Sequence, residues 1–363
     1  MIIGIDGHML GDHSGGNESY YANILRTMLI DPKDKVYLFV KNGIDVSDYE
    51  NKYMIVRFSS ESSLKRNFFE LDMLCKKYKI EVLHTQYFIP FLRSCRVVCT
   101  IHDICFEHFS NIFTKKDYWA QKLLIPYAAK HSEYIFTVSN HARQDIIDHY
   151  KVDPSKIIVT YNAVNEHFRK LTSAELNEKD LRNKYEIGNE QYILTVGNLQ
   201  PRKNLPRLIK AFIKWRKKNK SGKLVIVGKK AWMYNDILKA AGSNSKNIVL
   251  TDYVSEGDLV RLYNAAACFI YPSFFEGFGI PPLEAMACGT PVAVANATSL
   301  PEVVGDAGLY FNPFEVDEIE ESISRLMRDI SLREELIEKS KKQVRRFDWT
   351  KSAMTVYKYY HKP

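Results

Sequence analysis

The chain has 363 residues, long for one hydrophobic core and comfortable for two. Hydrophobic residues make up 45% and charged residues 26%, which excludes a disordered or fibrous chain. No apolar run nears the ~20 residues that a bilayer span requires. The formal net charge of +8 leaves a polyanionic ligand or an anionic surface open.

The opening Met1-Ile2-Ile3-Gly4-Ile5-Asp6 has no basic leader and reads as a buried first strand, not a signal peptide. Short apolar or β-branched runs then recur at residues 36–40, 54–58, 82–85, 96–101, 134–138 and 157–160. A second series follows at 192–196, 223–227, 248–251, 268–271, 291–294 and 309–311. Continuous apolar strands alternating with amphipathic helices predict parallel sheets covered on both faces. The expected fold class is therefore α/β, with two doubly wound halves. The polar, highly charged stretch 168–190 lacks a strand and is expected to hold the boundary. A tyrosine-rich helix over 351–360 ends the chain. The six cysteines, Cys75, Cys95, Cys99, Cys105, Cys268 and Cys288, show no paired CxxC and read as small hydrophobes in a reducing compartment.

Several strand ends carry candidate chemistry. Residues 11–17, holding Ser14-Gly15-Gly16-Asn17, form a glycine-rich turn before a helix, suited to close approach by phosphate. The turn lacks G-x-G-x-x-G, which weakens a nicotinamide reading. His102-Asp103 follows the strand 96–101; such a pair can act as base or bind hydroxyls, and a hydrogen-bonded loop residue is the bland alternative. Ser139 or Asn140 is expected to cap the next helix. After strand 192–196 comes Gly197-Asn198-Leu199-Gln200-Pro201-Arg202-Lys203-Asn204. Arginine forks onto phosphate oxygens and lysine adds a point charge, which assists a departing diphosphate. These cations open a run over 202–230 with about a dozen Lys or Arg and no acid. A solvated helix face is the bland reading of that run. Nucleic acid is disfavoured because aromatic stacking residues are not interleaved.

The sharpest motif is Glu276-Gly277-Phe278-Gly279-Ile280-Pro281-Pro282-Leu283-Glu284. Its glycines allow close backbone approach, and its prolines suit a first helical turn. Glu276 is expected on the loop and Glu284 about a turn into the helix, two carboxylates at different depths for two polyol groups. No cluster of His, Cys and Asp shows metal-ligand spacing.

Set within S-x-x-E-G-F-G-x-P-x-L-E-A-M-A-C-G-T-P-V, the two glutamates resemble glycosyltransferase family 4, and the resemblance runs along nearly the whole chain, weaker in the first half. It implies the GT-B fold, two Rossmann-like domains facing each other across a cleft. Residues 1–170 would bind the acceptor and 171–345 the nucleotide-sugar donor, with a helix in 346–363 packing back on the first domain. It implies retaining hexosyl transfer without a metal or other cofactor. Glu276 would contact the donor sugar, Glu284 the ribose, and the backbone of Gly277, Phe278 and Gly279 the sugar. Arg202 and Lys203 would serve the diphosphate; Asn198 stands where the family often has arginine. His102 would lie by the donor sugar and Asp103 on the acceptor side. The turn with Gly15, Gly16 and Asn17 would reach toward phosphate and acceptor, and Tyr253 would border the base. The P-R-K-N form resembles bacterial mannosyltransferases of O-antigen and capsule assembly, which puts GDP-mannose first and leaves UDP-sugars open. The implied acceptor is a lipid-linked glycan at the cytoplasmic face of the cell membrane. Lys65-Arg66, Lys76-Lys77-Lys79 and Lys115-Lys116, with Phe68, Phe69 and Leu71, read either as solvated helices or as a peripheral contact with anionic lipid. The alternatives are an inactive nucleotide-sugar-binding protein and another GT-B enzyme, such as an epimerase; the intact Glu276, Glu284, His102, Arg202 and Lys203 argue against the first.

Overall fold

The computed structural model describes residues 1–11, 15–229, 236, 239–240 and 242–362. Ser14 of the glycine-rich turn and Lys230 at the end of the basic run lie outside the described residues. The chain divides into two compact units, Met1–Asn162 with Asp348–Pro363, and Ala163–Phe347.

In the first unit, β1 (Ile2–Asp6), β2 (Lys35–Val40), β3 (Met54–Arg57), β4 (Val82–Gln86), β5 (Arg96–Thr100), β6 (Ile135–Thr137) and β7 (Ile157–Val159) form one sheet in the order β3-β2-β1-β4-β5-β6-β7. In the second, β8 (Tyr192–Val196), β9 (Lys223–Val227), β10 (Ile248–Asp252), β11 (Cys268–Tyr271), β12 (Val292–Ala295) and β13 (Gly308–Phe311) run in the order β10-β9-β8-β11-β12-β13. All pairings are parallel. The expected strand segments are all found, with bounds moved by a residue or so. They were legible because strands buried on both faces need apolar residues at every position; Val292-Ala293-Val294-Ala295 is fully buried.

In each sheet the chain first winds to one side and then to the other, so β1 and β4, and β8 and β11, flank a switch point. Ligands of open α/β sheets collect outside the carboxyl ends of such strands. The expected doubly wound class is thus observed in both units.

The helix Leu205–Asn219 shows how the sequence pattern becomes packing. Leu205, Leu208, Ile209, Phe212 and Trp215 recur at helical spacing and are buried. Burying each large side chain contributes about 2 kcal/mol. The opposite face carries the basic run, and much of it meets acids: Lys214 reaches Asp317 at 2.6 Å and Lys218 reaches Glu320 at 2.9 Å, both on the helix Val316–Arg328. Arg216 also lies 3.5 Å from Glu190, so part of that charge is a paired helix surface.

The polar stretch 168–190 belongs to the second unit, because Phe168, Leu181 and Ile187 are buried in its core. The first unit ends before it, at Asn162. The last helix, Trp349–Tyr360, completes the first unit by lying against the helix Gly16–Thr27. Tyr360 OH lies 2.6 Å from His84 Nδ1, Ser352 Oγ donates to the Tyr161 carbonyl at 2.7 Å, and Tyr357 OH accepts from the Asp31 N–H at 2.9 Å. The tyrosine richness of that helix has a structural cause: apolar rings fill the core while their hydroxyls meet polar groups at its edge.

Candidate active site

Glu276 sits in the loop after β11, buried, with both carboxylate oxygens engaged. Lys203 Nζ donates to Oε1 at 2.7 Å, and Arg202 Nη1 approaches Oε2 at 2.8 Å. Ser273 Oγ and Tyr271 OH also reach Oε1, at 2.5 and 3.1 Å. Lys203 in turn donates to Tyr271 OH at 2.6 Å. Burial pushes the Glu276 carboxyl up, but Arg202 and Lys203 outweigh it and hold it down to about 2. A carboxylate so held stays ionised and accepts hydrogen bonds across the ordinary pH range.

Local structure brings these residues together. Pro201–Lys203 forms a tight turn after β8, closed by Asn204 in the left-handed conformation. The Arg202 carbonyl accepts the Phe274 N–H at 2.8 Å, and Asn204 Nδ2 donates to the Pro272 and Pro313 carbonyls. The loops after β8 and β11 are therefore laced backbone to side chain. Gly228 is required nearby, since a Cβ there would meet the Gly197 carbonyl oxygen at 2.1 Å. Gly279 caps the helix Ile280–Ala287 at φ 100°, and a Cβ there would strike Leu300 at 2.6 Å.

Glu284 lies one turn into that helix, half-buried. Tyr263 OH donates to it at 2.9 Å, and no cation is found on it among the described residues. Burial pushes its carboxyl up to about 7, against the Tyr263 hydrogen bond. The two glutamates therefore differ in charge state as well as depth. Gly277 and Phe278 are buried; the Phe278 ring packs edge-on to Phe347 at 5.3 Å, and its carbonyl accepts from Ser299 Oγ at 2.8 Å. Asn198 is exposed at the end of β8. Tyr253 is exposed, with Lys229 Nζ 5.0 Å over its ring.

In the first unit, His102 follows β5 and is buried among Tyr20, at 4.9 Å between centroids, and Tyr87, at 5.6 Å. Burial pushes its imidazole down to about 3, so it is neutral. Its Nε2 lies 3.4 Å from Gln86 Oε1, and the buried Gln86 Nε2 has no hydrogen-bond partner among the described residues. Asp103 is half-buried and accepts the Cys105 N–H at 2.9 Å, starting the short helix Cys105–His108. Gly15, at φ 81°, caps the helix Gly16–Thr27; Gly15 and Gly16 are exposed and Asn17 is half-buried. Ser139 is the cap of the helix Asn140–Tyr150, accepting the Ala142 N–H at 3.0 Å.

Two expectations change. Arg66, read as part of a basic surface, is buried and stacks on Phe58 with its guanidinium 5.4 Å from the ring. Leu71 is buried too, while Phe69 is exposed. And although sequence spacing shows no metal-ligand cluster, the fold gathers His108, Asp145 and His149. His108 and Asp145 are too far apart in the chain for a spacing rule to pair them.

Sequence reasoning did not single out Tyr271, Tyr263 or Gln86. Tyr271 and Gln86 end apolar strands, where a polar tip on an otherwise core residue is the only local signal. Tyr263 sits on the buried face of the helix Glu256–Ala265 and reads as core.

Two parallel sheets, each with its polar loops at a switch point, fit the expected pair of Rossmann-like domains. Two family descriptions match the chain, "Glycosyltransferase Family 4" over residues 15–168 and "Glycosyl transferases group 1" over 177–343. The O-antigen chain mannosyltransferase B of Escherichia coli is 34% identical over 297 residues, covering 78% of this chain and 75% of that protein. The serotype-specific mannosyltransferase WbdA of Escherichia coli is 28% identical over 267 residues, 71% of this chain but only 32% of that longer protein. Among solved structures, Anabaena Alr3699/HepE in complex with UDP and glucose superposes with a TM-score of 0.77 over 99% of this chain and 98% of that chain, at 17% identity. The chain belongs to glycosyltransferase family 4 and is a glycosyltransferase.

Proposed function

We propose that the enzyme transfers a mannosyl residue from GDP-mannose, with retention, to a lipid-linked glycan in the assembly of a surface polysaccharide. The observation that carries this reading is the buried Glu276–Lys203–Arg202 cluster at the β8–β11 switch point. Glu276 accepts hydroxyls of the donor sugar. Arg202 and Lys203 turn toward the diphosphate as it leaves and gains charge. Glu284, once ionised, accepts the ribose hydroxyls. The backbone of Gly277, Phe278 and Gly279 lies against the sugar, Asn198 beside the diphosphate and Tyr253 beside the base. The similarity to O-antigen mannosyltransferases supports mannose as the sugar.

The first unit serves the acceptor. Neutral His102 serves the donor sugar without carrying charge, and Gln86 Nε2, unpartnered among the described residues, takes a ligand oxygen. Gly15, Gly16 and Asn17 approach phosphate and acceptor, and Asp103 faces the acceptor side. The transfer needs no metal or other cofactor, with Arg202 and Lys203 supplying the charge that neutralises phosphate.

The enzyme works in the cytoplasm at the inner face of the membrane. No helix of the described residues is long and apolar enough to cross a bilayer. The exposed Leu64, Phe69, Met73, Trp119 and Leu123 alternate with Lys65, Lys76, Lys77, Lys115 and Lys116, a pairing suited to anionic lipid.

A thermal-shift panel of GDP, UDP, ADP and their sugars, in chelator, tests the donor. Stabilisation by GDP and GDP-mannose, followed by α-linked product detected by NMR, is expected. Stabilisation by UDP compounds instead overturns the mannosyl donor, and β-linked product overturns retention.

A further inference from the structure

We propose that His108, Asp145 and His149 bind a divalent transition-metal ion, with zinc the best match to their chemistry. His108 ends the short helix Cys105–His108, while Asp145 and His149 lie one turn apart on the helix Asn140–Tyr150. That spacing places both on one helix face. His108 Nε2 is 2.9 Å from each carboxylate oxygen of Asp145. His149 Nδ1 is 3.2 Å from Asp145 Oδ1, and 3.3 Å from the Asp145 carbonyl oxygen. The two imidazoles stand edge to face, with centroids 5.0 Å apart. One donor atom from each residue lies within 4.8 Å of the others.

Tetrahedral zinc with bonds of about 2.0–2.1 Å sets neighbouring donors about 3.3 Å apart. Two of the three edges are already near that length, and the third lies within 4.8 Å. Two imidazoles and a carboxylate suit zinc, nickel or copper; calcium and magnesium prefer oxygen donors throughout. The Asp145 side chain is 10% exposed and each imidazole 35%, so the anchor is fixed while an ion and its completing waters can enter. The helix holds two ligands in place beforehand, and His108 already lies against Asp145. In the ion's absence the same atoms form a hydrogen-bonded clamp.

The site would act on position, not on chemistry. The helix that His108 ends begins just after Asp103, whose carboxylate accepts the Cys105 N–H. Glu107 of the same helix accepts Tyr150 OH at 3.1 Å and pairs with Lys122. An ion joining the two helices would fix the segment that follows His102 and Asp103. The proposal does not depend on which sugar or acceptor the enzyme uses.

The test is competition for Zn²⁺ alone between the metal-stripped full chain and a chromogenic chelator. His108→Ala, His149→Ala and His149→Gln are run beside the wild type, with circular dichroism to check each fold. The expected result is one equivalent bound by the wild type, affinity weakened at least about tenfold in each variant, and a zinc-dependent rise in Tm that the variants lack. A wild type that does not compete with the chelator overturns the site. So do folded variants that bind zinc as tightly as the wild type. Should His108→Ala fail to fold, His149→Gln decides, because it keeps the ring's approximate bulk and polarity.

Discussion

The strand ends of the two units are built on opposite electrostatic principles. In the second unit, a buried carboxylate is held ionised by a lysine and an arginine. In the first, the buried histidine is neutral, walled by tyrosines, with a glutamine amide beside it. A charge cluster is stable in the interior only when every charge is paired and hydrogen-bonded. The second unit meets that demand with two loops laced together. On the function proposed above the first unit recognises hydroxyls, for which neutral donors and acceptors suffice.

The comparison can be broken most sharply at Glu276. Glu276→Gln is expected to lower kcat about a thousandfold while leaving a folded protein, measured by steady-state transfer and a thermal melt. Near-normal turnover would remove Glu276 from the mechanism. Lys203→Met should cost more stability than Glu276→Gln, about 3 kcal/mol, because it leaves a buried carboxylate with a single cation; denaturant unfolding of both variants checks the order. The acid limb follows from the same cluster. Glu276 has its pKa depressed from 4.5 to about 2, so its contribution is full above 4.5 and is lost as the pH falls toward 2.

On the neutral side, His102→Ala should lower kcat by about ten- to a hundredfold, the worth of a lost buried hydrogen bond. Nucleotide affinity, measured by calorimetry, should not move. A fall in nucleotide affinity equal to the fall in kcat would place His102 on the nucleotide and not on the sugar.

Glu284 sharpens the contrast within the second unit. Its pKa is raised from 4.5 to about 7, so the stability it lends is present below 4.5 and declines as the pH rises through 7. Nucleotide binding should run the other way, since the ribose hydroxyls need the carboxylate. Affinity is expected to rise about tenfold from pH 6 to pH 8, as one proton is lost, and to be flat in Glu284→Gln. The smallest effect is expected at exposed Tyr253, where Tyr253→Ala should weaken nucleotide binding about threefold, a fraction of one stacking contact, with Tm unchanged.

The strands were legible because a parallel sheet buried on both faces writes itself as unbroken apolar runs. The segment 276–284 was legible because glycine and proline mark where backbone must come close and where a helix must start. The Arg202-Lys203 pair was visible as charge at a strand end, but not as the partner of Glu276. Its lysine is the buried member and its arginine the more accessible one, which no spacing rule distinguishes. The surface reading of Arg66 failed for a related reason. A basic residue in a basic run looks solvated, yet the π-helical turn Arg66–Glu70 turns this one inward over Phe58.

What the sequence determined by itself was local and periodic: the strands, the helix caps, the glycine-dependent turns and the family motif. Each depends on neighbours within a turn or a pleat. The tertiary structure alone decided which charges are buried together, that Glu276 is ionised and Glu284 poised near neutrality, and that His108 meets Asp145. Those outcomes depend on desolvation and on atoms brought within a few ångströms from distant parts of the chain, and neither quantity has a period that can be read along the sequence.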